Sequence, residues 1–338
     1  MPLPEKALIA QIRRLANSGK RTRAGKKSAR NLIAGIGDDC AVLRIAPGRE
    51  LLVTTDFSLE GIHFRRDWHP AESVGHRCLA RGLSDVAAMG GEPVAAFLSL
   101  ALPRDVPQAW VQNFVRGLME LAKKYGVPLA GGDTSQSPNK ILADIIVIGS
   151  APKGKAVLRS GACPGDRIFV SGELGGSAAA VLTMEAKPKK KLKPHDYPHH
   201  FYPEPRIELG RILREKGLAS AMIDVSDGLS TDLAHICEES GVGAEILSTS
   251  IPRARVGRPA CAVSLKLALH GGEDYELLFA VPRGKRIPER IAGVALTEIG
   301  VITRSQKIFM QDEKGTNRRL QAKGWEHFRK VPSPARPM

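Results

Sequence analysis

A chain of 338 residues exceeds one ordinary hydrophobic core and implies two domains. Its 43% hydrophobic and 25% charged residues are those of an ordinary soluble globular protein, and no apolar run approaches the roughly 20 residues that a membrane helix needs. The five cysteines (Cys40, Cys78, Cys163, Cys237, Cys261) are odd in number, widely spaced and without a CxxC, which argues against a disulfide framework or a zinc site and fits a reducing, cytoplasmic location.

The formal net charge of +15 is partly local. Lys20, Arg21, Arg23, Lys26, Lys27 and Arg30 form one basic stretch, and Lys187, Lys189, Lys190, Lys191 and Lys193 form another. Such runs repel internally and read as solvated loops. Neither is interleaved with aromatics, which argues against a dedicated single-strand surface and for no nucleic-acid partner; the alternative reading, a basic nucleic-acid-binding protein, predicts steeply salt-dependent binding without ATP turnover.

The first element is an amphipathic helix over Met1 to Ala16, whose Glu5 and Lys6 exclude a signal peptide. Leu51 to Thr55 reads as a strand ending at Asp56, and Ala71 to Met89 as a helix stopped by Gly90-Gly91. A strand over Val94 to Leu102 and a helix over Pro107 to Gly126 follow. Val127 to Ala130 reads as a short strand running into a Gly131-Gly132-Asp133 turn, and Ile141 to Gly149 as another strand. This alternation predicts an α/β domain over 1–150. A Gly-, Pro- and Lys-rich stretch, Ala151 to Asp166, separates it from a second α/β domain within 151–338. That half has strands over Arg167 to Ser171, Met222 to Val225 and Leu277 to Val281. Its helices cover Gly176 to Glu185, Arg206 to Lys216 and Leu229 to Ser240, and an irregular proline-rich connection spans Lys187 to Pro205.

Carboxylates cluster at predicted strand ends and glycine-rich turns: Asp38 and Asp39 in GIGDDCAVL, Asp56 in VTTDF, Asp85 in GLSDVAAMGG, Asp133 in AGGDTS, Asp224 and Asp227 in IDVSDGLSTD. Strand ends along one edge of an α/β sheet are where ligands bind. Carboxylates meeting there would repel without cations, and magnesium takes such oxygens together with substrate phosphates. Each acid taken singly also serves as a helix cap or turn residue. There is no GxxxxGK[ST] loop, complete GxGxxG or kinase HRD/DFG set. GELGGSAAA at Gly172 to Ala180 suits a phosphate at a helix N-terminus or close helix–strand packing equally well.

The ordered set GIGDDCAVL, TTD with GIHF, LSDVAAMGGEP, GGDTS, LRSGACPGD, PEPRIELG, IDVSDGLSTDL and GGEDYELLF resembles the thiamine-monophosphate kinase family, over about Ala34 to Phe328. The family belongs with aminoimidazole-ribonucleotide synthetase, selenophosphate synthetase and a hydrogenase-maturation protein. The resemblance implies a two-domain fold of that type, whose N-terminal mixed sheet forms a homodimer. It also implies transfer of phosphate from ATP to thiamine monophosphate, several Mg²⁺ ions, and no covalent catalytic residue. By the same resemblance Asp39, Thr54, Thr55, Asp56, Asp85, Asp133, Asp224 and Asp227 are metal ligands. Gly132, Asp133, Arg159 and Ser226 meet ATP. His63, Glu273 and Trp325 meet the substrate, with Glu273 at its pyrimidine end and Trp325 stacked on thiamine. Phe57 departs from the family's small polar residue, and the two basic stretches lie outside its pattern. Related reactions, such as ATP-driven cyclisation or selenophosphate formation, remain the alternatives. A selenophosphate enzyme would carry a reactive cysteine near the start, and none precedes Cys40.

Overall fold

The computed structural model describes residues 3–18, 31–34, 36, 41–188 and 191–325. Asp38, Asp39, Cys40, the basic stretch 20–30, Lys189 and Lys190 lie outside the described residues.

Two sheets organise the chain. The first has four strands in the order β3-β6-β4-β5: β3 (Arg49–Leu59), β4 (Glu92–Leu102), β5 (Leu129–Gln136) and β6 (Leu142–Pro152). Its pairs are antiparallel except β4 with β5. One face packs on helices α2 (Ala71–Ala88) and α3 (Gln108–Tyr125), against which α1 (Glu5–Ser18) also packs. Helix α3 follows Pro107 and stops where Gly126 enters the left-handed region at φ 66°, a conformation that glycine adopts without strain. Its Val111, Phe114, Leu118 and Leu121 recur at helical spacing and are fully buried. The two helices touch backbone to backbone: a Cβ on Gly75 would lie 1.8 Å from the Phe114 carbonyl oxygen, and one on Gly117 1.9 Å from that of Glu72.

The second sheet has eight strands and carries the order β16-β15-β9-β14-β7-β12-β8, with β13 (Arg290–Ile291) on β14 (Val294–Thr303). Its centre is β7 (Arg167–Ser171), β12 (Leu277–Val281) and β8 (Ala221–Asp224). All five residues of β12 are buried: Leu277, Phe279 and Val281 face the core shared with α2 and α3, while Leu278 and Ala280 face a second core under α7 (Leu229–Ser240). The edge is built by β9 (Gly243–Leu247), β15 (Ile308–Gln311) and β16 (Asn317–Arg319), where β15 runs parallel to β9. Helices α4 (Gly176–Ala186), α5 (Pro198–Phe201) and α6 (Ile207–Glu215) link β7 to β8; α5 and α6 both pack on α2, which therefore lies between the two sheets.

Two differences from the sequence reading bear on the site. Asp56 stands inside β3, because β6 pairs with that strand residue for residue from Arg49 to Leu59. Gly131-Gly132-Asp133 likewise lies within β5, whose parallel ladder with β4 runs on to Gln136. Glycines read as breakers here permit a close strand pairing instead: a Cβ on Gly132, at φ 144°, would lie 1.8 Å from the Leu98 carbonyl oxygen.

Candidate active site

Strand alternation sends Thr54 and Asp56 of β3 toward the buried face, opposite Val147 and Ile145. There the Thr54 hydroxyl donates to Asp85 Oδ2 from α2. One residue earlier on α2, Ser84 Oγ donates to Asp224 Oδ2 at 2.6 Å, at the carboxyl end of β8. Acids from both halves of the chain thus meet at one place. Burial, and then the charge of Asp85, push the Asp56 carboxyl well above the usual range, with Arg81 opposing. Burial also raises Asp85 against the hydrogen bond from Thr54, and raises Asp224, with Asp85 adding to the shift and Ser84 opposing it. Arg159, from the connecting stretch, is exposed and close enough for its charge to favour ionised Asp85 and Asp224.

Asp56 Oδ2 is buried and meets no N–H or hydroxyl donor; its neighbour is the Asp85 carboxyl, with which it pairs only by sharing a proton. A carboxylate oxygen so placed among other carboxylates is unfavourable: two such charges about 4 Å apart repel by roughly 4 kcal/mol at an effective dielectric near 20. A hard divalent cation removes that penalty, and the donors present, carboxylates and a hydroxyl, are its preferred ligands. The residues fit Mg²⁺.

Thr55 points to the opposite face and donates to Asp144 Oδ1 at 2.7 Å. Phe57, Asp144, Ser99 and Asp133 are paired in one row across β3, β6, β4 and β5, so Asp133 shares that face with Thr55. Asp133 is exposed and accepts from the Thr134 N–H at 2.8 Å. The acids expected to converge are therefore divided between the two faces of the first sheet.

At the second half's contribution, Ser226 and Asp227 follow β8. Gly228 is the N-cap of α7, with no side-chain cap; Asp232, inside the helix, reaches back to the turn, its Oδ2 accepting from the Asp227 N–H at 3.2 Å and the Gly228 N–H at 3.0 Å. Asp227, Asp232 and His235 each place one ligand atom within 4.8 Å of the others. The Asp227 carbonyl also accepts from the Trp325 N–H at 3.0 Å, which sets the half-exposed Trp325 beside this turn.

The GGEDYE loop runs antiparallel to the same turn: Glu273 N–H donates to the Ser226 carbonyl at 2.7 Å and Tyr275 N–H to that of Val225 at 2.9 Å. Glu273 (φ 64°) and Tyr275 (φ 53°) are left-handed without being glycine. Each such residue costs about 1–3 kcal/mol and persists only where its surroundings over-determine it. Glu273 Oε2 accepts from Arg77 Nη2 and Oε1 from Arg81 Nη2, both at 2.6 Å. Burial alone would raise its carboxyl; the Arg77 and Arg81 guanidiniums outweigh that and hold it well below the usual range. His63 Nδ1 accepts from the Leu59 N–H at 3.0 Å, and the His63 carbonyl accepts from Arg77. GELGGSAAA proves to be an internal cap: Asp274 Oδ2 takes the Gly175 N–H at 2.6 Å and Oδ1 the Ser177 N–H at 3.3 Å. Burial pushes Asp274 up to about 7.

Arg77, Arg81, Ser84, Asp144, Asp232 and Asp274 were not singled out from the sequence. Arg77, Arg81, Ser84 and Asp85 recur at helical spacing and mark one side of α2; Asp144 is an acid inside the otherwise apolar run ILADIIVIG. A separate cavity of about 950 Å³ between the sheets is lined by Arg49, Glu92, Lys124, Glu204 and Arg206 and by none of the expected site residues. Several of its charges are matched in ion pairs, Arg49–Glu92 at 2.8 Å, Lys124–Glu204 at 2.5 Å, Arg206–Glu276 at 2.5 Å and Arg211–Glu215 at 2.7 Å.

Residues 37–151 match the AIR synthase related protein N-terminal domain and residues 163–313 the C-terminal domain of the same family. The two sheets, with acids from each meeting at α2, thus define an AIR synthase related protein. The thiamine-monophosphate kinase of Escherichia coli K12 is 40% identical over 305 residues, covering 87% of this chain and 91% of its own. The crystal structure of thiamine-monophosphate kinase from Stenotrophomonas maltophilia K279a matches with TM-score 0.75 at 33% identity, covering 92% of this chain and 97% of that one. AaThiL complexed with AMPPCP and TMP matches with TM-score 0.73 at 33% identity, over 84% of this chain and 89% of that one. The chain belongs to the thiamine-monophosphate kinase family.

Proposed function

We propose that this chain transfers the γ-phosphate of ATP to thiamine monophosphate, giving thiamine diphosphate and ADP. The observation that carries the reading is the meeting of Thr54, Asp56 and Asp85 with Asp224, in which the buried Asp56 Oδ2 finds no donor other than a shared proton with Asp85. It is supported by the relatives named thiamine-monophosphate kinase and by the neighbour complexed with AMPPCP and TMP.

Thr54, Asp56, Asp85 and Asp224 would hold Mg²⁺ on the buried side, Thr55 and Asp133 on the other, and Asp227 beside α7; Asp39 belongs to the same set. Bound there, Mg²⁺ supplies positive charge that neutralises these carboxylates and the phosphate oxygens they face. Gly132 and Ser226 meet the nucleotide, and Arg159 binds the triphosphate through its fork of N–H donors. His63, Glu273 and Trp325 orient thiamine monophosphate, Trp325 by stacking. An oxygen of the substrate phosphate forms the new bond to the γ-phosphorus, while the bond to the β–γ bridging oxygen breaks and its electron pair leaves with ADP. The attacking oxygen is already anionic, so no side chain need remove a proton, and the protein's work is positioning and charge neutralisation.

The same reading takes 1–150 and 151–338 as the two domains and places the protein in the cytoplasm. Among the described residues no helix is long and apolar enough to cross a membrane. The outer face of β3 presents Leu51, Val53 and Phe57, each more than half exposed. An apolar strip of that kind on an edge strand is a pairing surface, and it supports a homodimer through the first sheets. Incubating the purified chain with ATP, Mg²⁺ and a panel of acceptors tests the activity. Thiamine diphosphate and ADP must form together with thiamine monophosphate; ADP release only with another acceptor would replace the reading by a different reaction of the superfamily.

A further inference from the structure

Asp144 stands in β6, which β3 pairs on one side and β4 on the other. Its direct cross-strand neighbours are Phe57 and Ser99. Aspartate is depleted in strands, and the residues that follow it, Ile145 to Ile148, are all β-branched and apolar. The side chain is only half-buried on the outer face, and among the described residues no lysine, arginine or histidine forms an ion pair with it. Neither packing nor charge pairing among those residues accounts for a carboxylate there. What it does hold is the Thr55 hydroxyl, which donates to Oδ1 at 2.7 Å. Thr55 sits diagonally across from it on β3, on the same face, and is itself exposed.

In the kinase reading above, on which this inference rests, Thr55 is a Mg²⁺ ligand on that face. A hydroxyl offers one proton and two lone pairs, and only the lone pairs serve a cation. On an exposed strand such a hydroxyl rotates freely and water competes for all three positions. Here its proton is committed to Asp144, which leaves the lone pairs of Thr55 Oγ1 for the ion. The carboxylate also draws on that proton and so makes the oxygen more basic, as the outer-shell carboxylate beside a metal-bound histidine does for the ring. We propose that Asp144 is a positioning residue that turns the Thr55 hydroxyl into a cation ligand. It acts through Thr55 and is not a ligand of its own.

A partner of this kind is worth about 10- to 100-fold in metal affinity. Mn²⁺ takes the same oxygen donors as Mg²⁺ and is counted by electron paramagnetic resonance, so it is titrated into the full chain with AMPPCP as the nucleotide. Thr55→Val and Asp144→Ala should each weaken one bound ion by about tenfold or more. Asp144→Asn, whose amide oxygen still accepts the proton, should fall between Asp144→Ala and the unaltered chain. The variant carrying both Thr55→Val and Asp144→Ala should bind no more weakly than Thr55→Val, because no hydroxyl is left to turn. In kinetics, the Mg²⁺ concentration for half-maximal rate should rise by the same factor in Asp144→Ala, while the KM for thiamine monophosphate stays within about twofold.

Unaltered Mn²⁺ binding by Asp144→Ala, with Thr55→Val weakened, leaves the metal set standing and sinks the proposal alone. Asp144→Asn as weak as Asp144→Ala also overturns it, since the hydrogen bond would then count for nothing. Losses that multiply in the double variant overturn it too, because Asp144 would then bind the ion itself. Thr55→Val that binds Mn²⁺ normally removes Thr55 from the metal set and takes the proposal with it. The binding measurements need no turnover, so a chain inactive with thiamine monophosphate would refute the kinase reading and leave Asp144 to be judged by Mn²⁺.

Discussion

Ser84 and Asp224 lie 140 residues apart in sequence, and a 2.6 Å hydrogen bond joins the hydroxyl of one to the carboxylate of the other. It carries the helix of the first half to the carboxyl end of β8 in the second. Asp224 is 2% exposed, so every donor it keeps counts. Replacing Ser84 with alanine should lower the stability of the magnesium-free chain by about 1–3 kcal/mol, the usual loss when a buried polar group loses its partner. Chemical denaturation of the two proteins side by side measures it; equal midpoints would mean that Asp224 does not depend on this bond.

Asp56 is expected to trade stability for activity. Its buried Oδ2 meets no N–H or hydroxyl donor, and it faces the carboxyl of Asp85, whose charge repels it unless the two share a proton. Asp56→Asn removes that repulsion, so the chelator-treated variant should melt at or above the temperature of the unaltered chain. Its kcat should fall by at least about 100-fold, the scale of losing one preorganised electrostatic group. Normal turnover in the folded variant would take Asp56 out of the proposed site.

The magnesium-free protein should lose stability from about pH 6.5 to pH 8. Asp56, Asp85, Asp224 and Asp274 all bind their protons more tightly than the ordinary value of 3.8, Asp224 up to about 8. Above that ordinary value the unfolded chain has released protons that the folded chain still keeps. Stability then falls as pH rises, until the folded groups ionise. His69 acts in the other direction: burial, then Arg77, lower it from 6.5 to about 4, so its contribution is lost as pH falls below 6.5. The interval above 6.5 isolates the carboxylates. Thermal melts in chelator should show Tm dropping across it, and excess Mg²⁺ should flatten the slope by binding the ionised form. A Tm that climbs over this interval in chelator contradicts the assignment.

Trp325 is 54% exposed and is set beside Asp227 by a backbone hydrogen bond. Trp325→Ala should raise the KM for thiamine monophosphate about tenfold, within the roughly 1–3 kcal/mol of one aromatic stack. Its melting temperature should stay unchanged, since little burial is lost. An unchanged KM would leave Trp325 as a packing residue of the C-terminal segment.

Much of this was legible in the linear chain. Helix α7 and strands β7 and β12 fall where apolar periodicity predicts them, residue for residue. Strand β14 was missed: its Thr297, Glu298, Gly300 and Thr303 break an apolar run, and it is a strand because β7 and β9 pair with it on either side. The residues of β5 past Ala130 were missed for a related reason, since strand ladders are long-range and a glycine pair reads locally as a stop.

The acids, the glycines between them and the order of the motifs were properties of the sequence alone, and they sufficed for the fold class and the family. Which acids meet was decided by tertiary structure. A strand turns successive side chains to opposite faces, so Thr54 and Thr55, neighbours in the chain, serve different sides of one sheet. Glu273 meets Arg77 and Arg81 across almost 200 residues only because α2 lies between the two sheets. Burial and charge pairing belong to such a juxtaposition, and no local pattern of residue types encodes them.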